Sequence, residues 1–487
     1  MTDSTDARPL RFAVIGAGMA GILAAIKLTE AGYDDFTIYE KADRLGGTWR
    51  ENTYPGIACD VPSHLYSYSF ALNPNWSYKF SPGAEILAYF ERIAREHDVE
   101  RFVRFGTEIT SCEWVDGKWH LIGADDEIDA VDVVIAATGV FDHPRMPDIP
   151  GLEDFAGPMF HTAQWDHSVS LDDKRVGVIG TGSSGIQVTG ALAGKVPHFT
   201  LFQRTAQWIA PQDQIKFTAE EQAAFAEDPD KLLATHKQED EGFSIFANAV
   251  VNAASPEMTL IEQMCKEHLE TAVRDPELRE RLRPDYRAAC KRLVVSPEFY
   301  EAIQHPDAEL VTEPIERIET GGVRTADGVL HELDVLVIAT GFNTHDFMRP
   351  MEITGRDGMT LTKMWADRAK AYLSISIPDF PNLFMLNGPN GPVGNFSLIQ
   401  VAEMQFDYIL QLVERLQTGA SAEISASHEA LDAFEDERYE AAQHTIWASG
   451  CSSWYLDDRG IPAVWPFPFD RFRAEMKAPN LDHYDCR

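Results

Sequence analysis

Short apolar runs closed by glycine-rich turns recur along the chain, and they come in matched pairs. Ala13-Val14-Ile15 enters the turn Gly16-Ala17-Gly18-Met19-Ala20-Gly21, and Phe36-Thr37-Ile38-Tyr39 follows. Gly177-Val178-Ile179 enters Gly180-Thr181-Gly182-Ser183-Ser184-Gly185, and Phe199-Thr200-Leu201-Phe202 follows. Each copy reads as strand, tight turn, helix, strand. A second pair, the runs 132–139 and 334–341, is apolar and β-rich and stops at Thr138-Gly139 and Thr340-Gly341. These read as buried parallel strands, each closing one unit. Between the units the pattern changes. Residues 144–158 are Pro-rich and read as a linker. Residues 218–282 are polar with apolar positions at helical spacing (Leu232, Leu233; Ile261, Met264, Cys265, Leu269), which predicts a helical excursion, either a surface cap or one wall of a substrate cavity.

The expected fold class is therefore α/β, with two Rossmann-like dinucleotide-binding domains, the second inserted in the first. Residues 1–142 and 342–487 form one domain, 143–165 a linker, and 166–341 the other domain, which carries the excursion.

A Gly-x-Gly-x-x-Gly turn between strand and helix lets a dinucleotide pyrophosphate approach the backbone at a helix N-terminus. One such motif is weak, but here the flanking strand, helix and strand-end residue agree twice. The two strand ends differ. Glu40 closes the first, and a carboxylate there accepts hydrogen bonds from a ribose diol and repels a 2′-phosphate, which suits FAD or NAD. Gln203-Arg204 closes the second, and the guanidinium fork matches phosphate oxygens, which predicts NADPH over NADH.

Composition narrows the partners. The 487 residues carry a formal net charge of −35 and are 44% hydrophobic, ordinary for a soluble globular chain. That charge argues against nucleic acid and anionic membrane surfaces, so cofactor phosphates must be held by local positive features. Acidic runs such as Gln238-Glu239-Asp240-Glu241 read as solvated helix faces. No apolar stretch is long enough for a membrane span and the N-terminus, Met1 to Leu10, is polar, so the expected compartment is cytoplasmic. Six cysteines (Cys59, Cys112, Cys265, Cys290, Cys451, Cys486) lie far apart without a Cys-x-x-Cys pair. They are expected as reduced thiols, and no metal site is expected.

Two further motifs carry a resemblance. Phe155-Ala156-Gly157-Pro158-Met159-Phe160-His161-Thr162-Ala163-Gln164-Trp165-Asp166 matches Phe-x-Gly-x-x-x-His-x-x-x-Trp-(Pro/Asp). Gly46-Gly47-Thr48-Trp49, Tyr54-Pro55-Gly56 and Asp60 match Gly-Gly-x-Trp-x4-Tyr-Pro-Gly-x3-Asp. The chain resembles the type I Baeyer–Villiger monooxygenases of the flavin-containing monooxygenase superfamily over essentially its whole length. The resemblance implies that NADPH reduces FAD, that the reduced flavin captures O₂ as a C4a-peroxide, and that the deprotonated peroxide attacks a ketone, giving an ester or lactone. It places the catalytic arginine at Arg292 in Cys290-Lys291-Arg292-Leu293, because a permanent cation stabilises the peroxide without protonating it. Asp60 would hold Arg292, Lys291 would add charge at the 2′-phosphate, and His161 would take a conformational role.

The matched FAD positions are Gly16, Gly18, Gly21, Glu40, Thr48, Trp49, Asp60 and Tyr66, with Ile109 at the adenine. The NADP positions are Thr181, Gly182, Ser183, Ser184, Gly185, Ile186, Gln187, Arg204, Thr205, Lys291, Arg292 and, beside the nicotinamide, Trp454. Ala288-Ala289-Cys290 is less glycine-rich than in many members. Two alternatives compete: an N- or S-oxygenating flavin monooxygenase, for which Arg292 would be dispensable, and a flavoprotein dehydrogenase without oxygen insertion. The missing Cys-x-x-Cys speaks against a disulfide reductase.

Overall fold

A computed structural model describes residues 8–124 and 126–487. Part of the polar N-terminus, residues 1–7, lies outside the described residues. The first unit begins with β1 (Phe12–Ile15), the helix α1 (Met19–Glu30) and β2 (Phe36–Tyr39). The short helix α2 (Thr48–Glu51) and α3 (Gly83–Glu96) precede β3 (Val103–Arg104). An antiparallel meander follows, β4 (Ser111–Val115), β5 (Lys118–Ile122) and β6 (Glu127–Val131), and then β7 (Val133–Ala136).

The second unit repeats that order. Its elements are β9 (Arg175–Ile179), α4 (Ser183–Leu192), β10 (His198–Phe202), β11 (Ala308–Val311), a meander β12 (Ile315–Glu319), β13 (Gly322–Thr325) and β14 (Leu330–Glu332), and β15 (Val335–Ile338). Inserted between β10 and β11 are five helices, α5 (Ala219–Glu227), α6 (Pro229–Val250), α7 (Pro256–Ala272), α8 (Pro276–Arg281) and the one-turn α9 (Phe299–Ala302).

Each sheet is completed by a strand from outside its unit. Leu383–Met385 (β17) pairs parallel with β7, giving the order β17-β7-β1-β2-β3. Met159–His161 (β8) pairs parallel with β15, giving β11-β10-β9-β15-β8. The fingerprint segment expected as a linker thus supplies an edge strand to the second sheet. Its short apolar step Met159-Phe160 satisfies the open ladder beside β15. β1, β7 and β15 are buried at every position, as parallel strands covered by helices on both faces must be. Among the described residues no helix is long and apolar enough to cross a membrane.

One expectation is corrected here. Cys290 and Cys451 form a disulfide, their Cα atoms 6.2 Å apart, while Cys59, Cys112, Cys265 and Cys486 are free. The two cysteines are 161 residues apart in sequence and meet only through the fold, so spacing could not have paired them.

Candidate active site

The two glycine turns superpose in function, residue by residue. A Cβ on Gly21 would lie 1.9 Å from the Gly16 carbonyl oxygen, and one on Gly185 would lie 2.1 Å from that of Gly180. Only glycine lets either helix start so close to its strand. Gly16 and Gly180 have φ of +101° and +116°, and each presses against the backbone that follows the neighbouring strand, at Ala137 and Ala339. Neither α1 nor α4 has a side-chain N-cap or an acidic residue in its first turn. In contrast, α5 to α8 are capped by Thr218, Asp228, Ser255 and Asp275. The first-turn N–H groups at both glycine turns are therefore left for an anion, and the cradle fits a pyrophosphate.

Glu40 is buried. Its Oε2 accepts the Ala17 N–H at 2.8 Å, its Oε1 accepts the Ala42 N–H at 2.9 Å, and the Arg50 guanidinium lies 3.3 Å away. The carboxylate is thereby fixed against the turn with lone pairs remaining for a ribose diol. Trp49 Nε1 donates to Tyr66 Oη at 3.2 Å, and burial raises the Tyr66 pKa. Ile109 packs with Ala13, Ile15 and Tyr39 beside the ends of β1 and β2, and Thr48 is exposed at the start of α2.

In the second unit Gln203 Nε2 donates to the Arg281 carbonyl at 2.6 Å, a bond that a carboxylate could not make. Arg204 is exposed, Lys291 is half-buried, and among the described residues neither makes an ion pair. Burial, and then the nearby Arg204 charge, lowers the Lys291 pKa; the ammonium lies 4.7 Å from the Tyr286 ring centroid. In a chain with 77 acidic and 42 basic residues, two neighbouring cations that no carboxylate pairs with directly, Asp285 acting on Lys291 only weakly, form a candidate anion site. Thr181 Oγ1 donates to the Thr205 carbonyl at 2.6 Å.

Three segments converge on Arg292. Its Nε donates to Asp60 Oδ2 at 2.8 Å and one Nη to Asp60 Oδ1, a bidentate pair between the two units. The other Nη donates to the carbonyl of Gly394, from the C-terminal segment. Burial opposes the charged form, but Asp60 and the Tyr455 hydroxyl outweigh it, and the guanidinium is held above its ordinary range. The backbone is fixed as well, since Gln207 donates to the Arg292 carbonyl. Trp454 packs on Tyr455 (centroids 4.2 Å apart) and near Phe141 (5.8 Å), and lines a crevice with Val140, Thr344 and Val393.

The Tyr-Pro-Gly motif docks the two units. Tyr54 Oη donates to Gln187 Oε1 at 2.8 Å and accepts from Ser184 Oγ at 3.1 Å, while Gln187 Nε2 donates to the Ala58 carbonyl at 3.0 Å. Burial pushes Tyr54 up to about 12, so it stays neutral. A Cβ on Gly56 would lie 2.5 Å from the Gln187 carbonyl oxygen. The Gln187 side chain is thus committed to the other unit rather than to the mouth of the glycine turn.

His161 is buried. Its Nδ1 accepts the Ala163 N–H at 3.1 Å, and its Nε2 faces the Gly341 backbone without closing a full hydrogen bond. Burial lowers its pKa, and its ring lies 5.8 Å from Phe342. It sits where the first half of the chain passes into the second sheet, away from the Arg292–Asp60 pair.

Sequence reasoning missed the Gly394 carbonyl, Tyr455, Gln207 and the Tyr54–Gln187 contact. Only Tyr455 carried a local signal, as the neighbour of Trp454.

The sequence matches the flavin-binding monooxygenase-like family over residues 10–223. It is 46% identical to an uncharacterized monooxygenase of Mycobacterium tuberculosis, covering 98% of this chain and 96% of that one. It is 36% identical to a Baeyer–Villiger monooxygenase of Streptomyces coelicolor, covering 98% and 92%. The fold is similar to a crystal structure of cyclohexanone monooxygenase from Rhodococcus sp. Phi1 bound to NADP+, with a TM-score of 0.87, 29% identity, and 98% and 99% of the two chains covered. The chain belongs to the Baeyer–Villiger monooxygenases of the flavin-binding monooxygenase-like family.

Proposed function

We propose that this protein uses FAD, NADPH and O₂ to convert ketones to esters or lactones, from the cytoplasm. The observation that carries this reading is the bidentate Arg292–Asp60 pair, one partner from each dinucleotide unit. Within the reading, Gly16, Gly18 and Gly21 would hold the pyrophosphate of FAD and Glu40 its ribose, with Thr48, Trp49, Asp60, Tyr66 and Ile109 completing the site. Residues 181–187 of the second turn would hold NADPH, with Arg204, Lys291 and Thr205 receiving its 2′-phosphate and Trp454 serving the nicotinamide end. The cofactors supply hydride and activated oxygen.

The chain supplies position, charge and dryness. Arg292 cannot give up its proton at any working pH, so it offers charge without acid to the oxyanion that develops on the substrate carbonyl. Asp60 and the Gly394 carbonyl take three of its five N–H donors and fix the fork, and of the two that remain one can face the Tyr455 hydroxyl and the other the reacting oxygen. His161 acts as a neutral buried joint between the segments rather than as an acid.

The deciding measurement uses Arg292→Ala with a ketone and a thioether. Ketone conversion is expected to fall about 10²–10³-fold while NADPH oxidation and FAD content persist. Ketone conversion at the normal rate would remove Arg292 from the chemistry, and retained thioether oxidation alone would favour an S-oxygenating enzyme.

A further inference from the structure

We infer that Cys290 and Cys451 form a peroxide-sensitive modification site, a redox clasp that holds Arg292 in its working position; the inference rests on the Baeyer–Villiger reading of that arginine. Cys290 lies two residues before Arg292, and Cys451 lies four residues before Tyr455, whose hydroxyl meets the same guanidinium. The disulfide and the Arg292–Tyr455 contact therefore close one small ring of chain between the segment before β11 and the C-terminal segment.

Two features show that the loop relies on this tie. Ala289, next to Cys290, is buried with φ +64°, a left-handed conformation that residues with a side chain rarely adopt. Ala289, Cys290, Cys451, Trp447 and Tyr455 also share one buried cluster, so a shift of either loop is felt by the other. Arg292 itself is gripped by groups from three segments, and one of them, Tyr455, is held in place through Cys451.

The chemistry balances with an oxidant that the enzyme can make. When oxygen is reduced without insertion into a ketone, NADPH, O₂ and a proton give NADP+ and hydrogen peroxide. The Cys451 thiolate, at the less buried end of the pair (8% exposed against 0% for Cys290), attacks the peroxide. The O–O bond breaks, hydroxide leaves and a sulfenic acid remains. The Cys290 thiolate then displaces hydroxide from that sulfur, and the S–S bond forms. In sum two thiols lose two electrons and two protons to hydrogen peroxide, giving a disulfide and two waters. A dithiol reductant reverses the step. Permanent disulfides are rare in reducing compartments, whereas redox-responsive ones occur there. With the clasp open, Arg292 loosens and more oxygen leaves as peroxide; that peroxide closes the clasp and restores coupling.

The test uses the full-length holoenzyme, reduced with dithiothreitol and then treated with hydrogen peroxide. Alkylation after denaturation, read by mass spectrometry, should label four cysteines in the oxidised protein and six in the reduced one. Hydrogen exchange over 287–292 and 446–455 should be faster in the reduced form. Coupled ketone oxidation should fall about tenfold on reduction, with a matching rise in peroxide release, and should recover on reoxidation. Cys451→Ser should hold the reduced behaviour whatever the reductant. If it fails to fold, the reversible wild-type cycle still decides. Six labelled cysteines after peroxide, or unchanged exchange, would overturn the clasp even in an enzyme without ketone activity, because neither readout needs the ketone. Unchanged coupling in an enzyme that does oxidise ketones would overturn the clasp alone.

Discussion

The two dinucleotide units share a backbone and part company at their side chains. In both, the third glycine touches the first glycine's carbonyl, the first glycine touches the backbone after the neighbouring strand, and the helix starts uncapped. Even the completing strands correspond: β17 stands beside β7 as β8 stands beside β15. Yet Glu40 is buried and tied to its own turn, whereas Gln203 is turned to a carbonyl, with an exposed Arg204 and a half-buried Lys291 nearby. The middle glycines differ too. A Cβ on Gly18 would meet Gly47 at 3.4 Å, while Gly182 has open space around it. The shared features are those needed to bring a pyrophosphate to a helix end, and the differing ones are those proposed to select between the two adenosines.

Breaking the shared part should cost most. Gly21→Ala or Gly185→Ala drives a methyl into a backbone carbonyl that cannot retreat, and each should destabilise the protein by about 1–3 kcal/mol or more, read as a lower urea midpoint. If either is tolerated without loss, the turns are not the tight cradles described. Arg204→Ala should come next. Loss of a charge-assisted phosphate contact worth about 1.5–3 kcal/mol predicts a fall of about 10–100-fold in kcat/KM with NADPH and little change with NADH. Equal losses with both cofactors would sink the phosphate assignment.

Gly182→Ala should fold normally, since its φ of −71° suits any residue and its surroundings are open. It should nevertheless weaken NADP+ binding several-fold, by about 1 kcal/mol, because the added methyl stands where the pyrophosphate approaches. The smallest effect should be the pH dependence of cofactor choice. The Lys291 pKa is lowered by burial and by Arg204, so its ammonium neutralises at a pH below the usual lysine range. Its charged form binds phosphate, hence the Kd for NADPH should rise as pH climbs through that lowered pKa while the Kd for NADH stays flat. Parallel curves would place the 2′-phosphate elsewhere.

Much of this was legible before the structure. The glycine turns and the strand-end exchange of Glu40 for Gln203-Arg204 sit in short motifs whose chemistry is local, and the family resemblance implied that Asp60 holds Arg292, 232 positions away. Four of the five inserted helices fall inside the expected 218–282 window, and the fifth, Phe299–Ala302, lies beyond it. The docking of Tyr54 on Gln187 was not legible, although both residues had been marked for other reasons. Nothing in a sequence says that a residue beside one glycine turn is oriented by a loop 133 positions away. The reduced thiols were the clear error, because spacing rules detect metal and redox motifs within a few residues and are blind to a bridge across 161.

By itself the sequence determined the repeated strand–turn–helix units, the different residues at their strand ends and the residues able to carry charge, because each depends on local backbone geometry or on one side chain's chemistry. Tertiary structure alone decided which strands complete each sheet, how the units dock and what surrounds Arg292. Those outcomes depend on long-range packing, in which a carbonyl at Gly394, a hydroxyl at Tyr455 and a sulfur at Cys451 acquire meaning only from the partners the fold brings to them.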